Sequence, residues 1–134
     1  VVTVLTRDAF ELIPKIEDVE GVTVYCDPPY FSKTVQYVHD FTDPAAGSVD
    51  KAGKPLRNPH VVLAEMLGRF QRTRVVVSYY DHPRLAELYP VERWRRVQLV
   101  APKFSANATN KPLQGGKRAA KVAAPELLLI NQKA

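Results

Sequence analysis

The sequence predicts an α/β fold: a mostly parallel sheet with helices on its faces and an antiparallel hairpin at one edge. Three observations predict it. Short β-branched runs recur along the chain, at Val1 to Leu5, Val22 to Cys26 and Arg74 to Ser78. Between them lie stretches with helical spacing, His60 to Gln71 foremost. The last two strand-like runs, Trp94 to Val100 and Glu126 to Ile130, have no helical stretch between them, so they pair as a hairpin across a long loop. At 134 residues the chain is one domain with a single core.

Each element has its own signal. Val1 to Leu5 is short and β-branched, as a buried strand is. Asp8 is a helix-start residue, and Phe10, Leu12, Ile13 and Ile16 supply an uneven apolar face that Pro14 interrupts. Gly21 resets the chain before Val22 to Cys26, the second strand. Residues 42–59 are rich in Pro, Gly, Ala, Asp and Lys and have no period, so they form an exposed loop. In His60 to Gln71 the residues Val61, Leu63, Ala64, Leu67 and Phe70 make an apolar stripe. Arg74 to Ser78 is a third buried strand, and Pro83 to Tyr89 a short helix with proline in its first turn. Residues 102–121 form a basic, glycine-containing loop before the last strand.

Composition narrows the class. No run is long and apolar enough to cross a bilayer, and none reads as a signal peptide. Cys26 is the single cysteine, which excludes an internal disulfide and a cysteine metal cluster and suits a reducing, cytoplasmic setting. His39, His60 and His82 lack metal-ligand spacing, so no metal is expected. The net charge of +5 is compatible with a polyanionic partner.

The most informative residues are Asp27, Pro28, Pro29 and Tyr30, directly after the second strand. An acid, two prolines and an aromatic there can grip a flat base that carries an exocyclic amine. The acid accepts one N–H bond and the Pro28 carbonyl a second, since proline keeps its acceptor while lacking a donor. The two rings stiffen the turn, and Tyr30 offers a face for stacking. The plain alternative is that Pro28-Pro29 merely ends the strand while Asp27 caps a turn. In parallel α/β sheets the ligand crevice lies beyond the carboxyl ends of the strands, where Asp8, Asp27 and Ser78 all fall.

These residues resemble the catalytic tetrapeptide of S-adenosylmethionine-dependent amino-methyltransferases. Their order along the chain is similar to that of the Dam-like adenine-N6 DNA methyltransferases. The matching stretches are Leu5 to Phe10, Val24 to Tyr30, the helix carrying His60, Leu63 and Ala64, Val76 to Tyr80, Ser105 to Asn110, and Glu126 to Asn131. The resemblance implies a Rossmann-like methyltransferase sheet and transfer of a methyl group to N6 of a flipped adenine in double-stranded DNA. It also implies that Asp8, Phe10 and Asp27 lie against the S-adenosylmethionine cofactor. Asp8 reads equally as a helix N-cap, and Phe10 as core. The family's Phe-x-Gly-x-Gly loop does not occur in these residues, nor does an inserted target-recognition domain. The chain therefore reads as the carboxyl-terminal catalytic half, needing an amino-terminal segment or a second chain to supply the cofactor-loop strands. A non-catalytic remnant that binds nucleic acid weakly is the competing expectation. RNA guanine-N2 and protein glutamine enzymes carry related tetrapeptides, which leaves the acceptor open.

The resemblance assigns catalysis to Asp27, Pro28, Pro29 and Tyr30. Lys103, Asn107, Asn110, Lys117 and Arg118 suit phosphate contacts on the basic loop, or simply a solvated loop. Cys26 ends a strand and points to the core rather than to a nucleophile's position.

Overall fold

The computed structural model describes residues 1–31, 41–101 and 124–132. Its centre is a four-stranded mixed sheet in the order β1-β2-β4-β3. The strands are β1 (Thr23–Cys26), β2 (Arg74–Tyr80), β3 (Trp94–Ala101) and β4 (Ala124–Asn131). β1 lies parallel to β2, while β4 is antiparallel to both β2 and β3. Three strands thus share one direction and β4 alone runs back between two of them. The expected hairpin is present. Its return strand sits inside the sheet rather than at the rim, so only one of the three pairings is parallel. That corrects the expectation of a mostly parallel sheet. The pairing decides this: β4 meets both β2 and β3 antiparallel.

The amino-terminal run departs most from the sequence. Val1 to Leu5 forms no strand, and Val1, Val2, Val4 and Leu5 are exposed. A strand is defined by its ladder partner, and β1 pairs only with β2 on its other side. β-Branched residues supply the preference for extended chain but not the neighbour.

The helices follow their caps. α1 (Ala9–Leu12) starts at Asp8, whose Oδ1 accepts from the Phe10 N–H at 2.8 Å. Pro14 converts its end into a 3-10 turn over Ile13–Lys15. α2 (Pro59–Leu67) opens with proline at its first position and Asn58 as N-cap, accepting from the His60 N–H at 2.8 Å. It closes at Gly68, four residues short of the sequence expectation, where the Gly68 N–H bonds the Ala64 carbonyl. α3 (Leu85–Leu88) is a single turn.

The core lies between the sheet and these helices. Leu63, Leu67, Val75, Val77, Leu85 and Leu129 are its fully or almost fully buried aliphatic members, joined by Tyr79, Tyr89 and Trp94. Val24 and Cys26 pair with Val75 and Val77 and face the same side. Two polar clamps seal the lower end of the sheet. Asp18 accepts the backbone N–H groups of Gln71, Arg72 and Thr73. Asn131 accepts from Val75 N–H at 2.7 Å and donates to the Thr73 carbonyl at 2.9 Å.

Candidate functional site

Strand register builds the site. Cys26 pairs with Val77 across parallel strands. The next residue on each strand, Asp27 and Ser78, therefore lies side by side on the opposite face. The Ser78 hydroxyl donates to Asp27 Oδ1 at 2.8 Å, and the Tyr30 phenol donates to the same oxygen at 3.0 Å. Ser78 is 0% exposed, whereas Asp27 is open to solvent. The carboxylate is thus rooted on a buried hydroxyl and reaches outward from it.

Asp27, Pro28 and Pro29 line a hollow of about 600 Å³ whose walls include Ile13, Val24 and Leu63. Its size lies within the range of small-molecule sites, and it is apolar apart from a few polar groups, as such sites are. Pro28 is buried and Pro29 half-buried, so the tetrapeptide is held against the sheet. Tyr30 packs on Tyr80, with ring centroids 4.4 Å apart, and on Tyr79 at 6.1 Å. Burial pushes the Tyr30 phenol well above the ordinary tyrosine range, and the bond to Asp27 adds to that, so it stays a donor at neutral pH. The tyrosine expected to offer a stacking face therefore keeps that ring against Tyr80 and its hydroxyl on the carboxylate.

Asp8 and Phe10 are not among the residues that line the hollow beside Asp27. They line a second hollow of about 670 Å³, and Ala9 and Phe41 are common to both. Phe10 meets Phe41 at 5.6 Å. Asp8 caps α1 and, because Val1 to Leu5 forms no strand, does not stand at a strand end as the sequence suggested. Lys103, Asn107, Asn110, Lys117 and Arg118 lie outside the described residues.

Cys26 is half-buried against the core, and burial raises its thiol to about 11. That shift favours the thiol over the thiolate at neutral pH.

Sequence reasoning missed an aromatic cluster behind the site. Phe31 is stacked between His60, at 3.8 Å, and His82, at 4.5 Å. The Arg84 guanidinium lies 5.6 Å from the Phe31 centroid and 3.7 Å from the Asp43 carboxylate. The His60 Nδ1 meets the Tyr79 hydroxyl at 2.9 Å. Burial, with Arg84 nearby, lowers the His60 imidazole to about 4, so it is neutral at pH 7. The available signal was its place in the apolar stripe of α2, three residues before Leu63. His82 takes part in a turn: its Nδ1 accepts from the Arg84 N–H at 3.2 Å.

Comparison with known proteins finds no match: no family profile, no curated sequence and no solved structure aligns with the chain.

Proposed function

We propose that the chain carries the amine-gripping part of an S-adenosylmethionine-dependent methyltransferase, with N6 of a flipped adenine in DNA as its acceptor. One observation carries the reading. The Asp27 carboxylate is anchored by the buried Ser78 hydroxyl at the end of β1, and a hollow opens beside it along Pro28 and Pro29. The sheet supports it too: β1 and β2 run parallel, Asp27 follows the carboxyl end of β1 and Ser78 lies two residues before that of β2, the side where open α/β sheets bind ligands.

The lone pair of adenine's amine is delocalised into the ring, and the base must leave the duplex at a cost of a few kcal/mol. Asp27 and the Pro28 carbonyl accept the two N–H bonds and draw the nitrogen towards tetrahedral geometry. Tyr30 turns from Tyr80 to the extruded ring, where stacking contributes roughly 1–3 kcal/mol. When bound, S-adenosylmethionine supplies an electrophilic methyl group on a sulfonium; Phe10, Phe41 and Asp8 would hold its adenosyl end. Asp27 need only accept a hydrogen bond, because the nitrogen becomes acidic once methylated and its proton then leaves to water. Positioning carries most of the rate in such a scheme.

The competing reading is a non-catalytic remnant that binds nucleic acid weakly and does not hold the cofactor. Calorimetry with S-adenosylmethionine separates the two. Micromolar binding, followed by label transfer to DNA in preference to ribosomal RNA or protein, supports the enzyme. No heat at millimolar ligand supports the remnant, and label found only in protein ends the DNA assignment.

A further inference from the structure

We infer that Ser78 is the positioning residue of this transfer: its buried hydroxyl sets the rotation of the Asp27 carboxylate so that the second oxygen faces the acceptor amine. The inference rests on the amine-methylation reading and adds a residue to it.

Asp27 sits just past the end of β1, where no ladder fixes its side chain. Two donors hold it, and both use Oδ1. Among the described residues no hydrogen bond is made to Oδ2, which leaves that oxygen for a substrate N–H. The two donors are not equivalent. Ser78 lies within β2, a strand paired on both sides, with Leu128 as its partner on β4. It is 0% exposed, and its hydroxyl has Asp27 as its hydrogen-bond partner. Tyr30 comes from the segment after β1 and is only half-buried.

The phenol cannot both hold Asp27 from beside Tyr80 and lie against an extruded base. When the tyrosine turns to the base, Ser78 is the donor that remains. A strand position facing the sheet needs no hydroxyl for packing; an alanine would fill it. The buried hydroxyl is spent on the carboxylate, and an unpartnered buried donor is costly.

The test is steady-state transfer of a tritiated methyl group from S-adenosylmethionine to unmethylated DNA by the full chain. Ser78→Ala lowers kcat by about 10- to 100-fold, the size expected for losing a hydrogen bond to a charged group, and changes KM for DNA by less than about 3-fold. Ser78→Thr, which keeps the hydroxyl, retains most of the wild-type kcat. An unchanged kcat in Ser78→Ala overturns the inference. So does a loss in Ser78→Thr as large as that in Ser78→Ala when its urea unfolding matches the wild type, since Ser78 would then be acting through the fold. Should Ser78→Ala fail to fold, the wild-type chain still decides. A slowly exchanging Ser78 hydroxyl proton, seen by NMR and lost in Asp27→Ala, supports the bond; a signal indifferent to Asp27 refutes it. A wild-type chain that methylates no acceptor even when joined to a segment supplying the cofactor loop, with the hydroxyl signal present, overturns the transferase reading itself and reduces the bond to a structural one.

Discussion

Acidification is the most informative perturbation of the fold, because one buried group dominates a defined pH window. His60 is 2% exposed, stacked on Phe31 and bonded to the Tyr79 hydroxyl. Its imidazole titrates at about 4 in the folded chain against an ordinary value of 6.5. Above pH 6.5 neither the folded nor the unfolded state binds the proton, and the full stability is present. Between 6.5 and 4 the unfolded state takes the proton and the folded state does not, so stability falls as pH falls. Below 4 both states are protonated and this contribution is gone. The shift is worth about 3 kcal/mol, which is a large share of a typical domain's stability. Arg84 and His82 oppose a charge on His60, and Asp43 favours one, so the cluster around the ring is part of the effect. Asp18 loses its contribution lower down. The backbone N–H groups of Thr73 and Gln71 hold its carboxyl at about 2 against 3.8, so that loss begins only as pH falls below 3.8. Urea unfolding followed by fluorescence of Trp94, the single and buried tryptophan, reads the window directly at pH 7, 6, 5 and 4. His60→Gln, which cannot titrate, is expected to hold a nearly flat profile there while the wild type declines. Parallel profiles for the two proteins would refute the assignment to His60.

The remaining predictions concern the carboxylate site and the core. Asp27→Ala abolishes methyl transfer and also takes the carboxylate partner from the buried Ser78 hydroxyl, at about 1–3 kcal/mol; Asp27→Asn keeps an acceptor and most of that stability, which denaturation of both variants checks. Tyr30→Phe removes the phenol bond but keeps a ring, so transfer falls less than in Tyr30→Ala, and the ratio of the two rates reports stacking against hydrogen bonding. Leu67→Ala, at a fully buried position in α2, costs about 2–5 kcal/mol in urea unfolding. Asn131→Ala strips partners from the Val75 N–H and the Thr73 carbonyl; it costs about 1–3 kcal/mol, and hydrogen exchange at Val75 speeds up first.

The site owes its shape to an economy of pairing. One parallel contact, Cys26 beside Val77, sets where Asp27 and Ser78 meet. The same contact turns Val24 and Cys26 inward against the core. A slip of one residue would exchange the faces and bury the acid while exposing the aliphatic side chains. Core packing and the polar site are therefore specified by a single register, and the clamps at Asp18 and Asn131 hold that register at the far end of β2.

The chain order by itself determined a good deal. Local signals act over a few residues: Asp8 and Pro14 fix where the first helix starts and breaks, and β-branched runs mark β1 and β2, whereas the α2 limits at Asn58 and Gly68 were not read from the sequence. The Asp27 to Tyr30 tetrapeptide was legible for the same reason, since its chemistry lies in adjacent residues. Only tertiary structure decided what depends on distant partners. Val1 to Leu5 has strand preferences but no ladder neighbour, and β4 takes an inner place because the hairpin returns beside β2. The Ser78 bond to Asp27 spans 51 residues and that of His60 to Tyr79 spans 19. Such contacts follow from register and burial, which no local pattern encodes, and they turn an acid after a strand into a fixed acceptor.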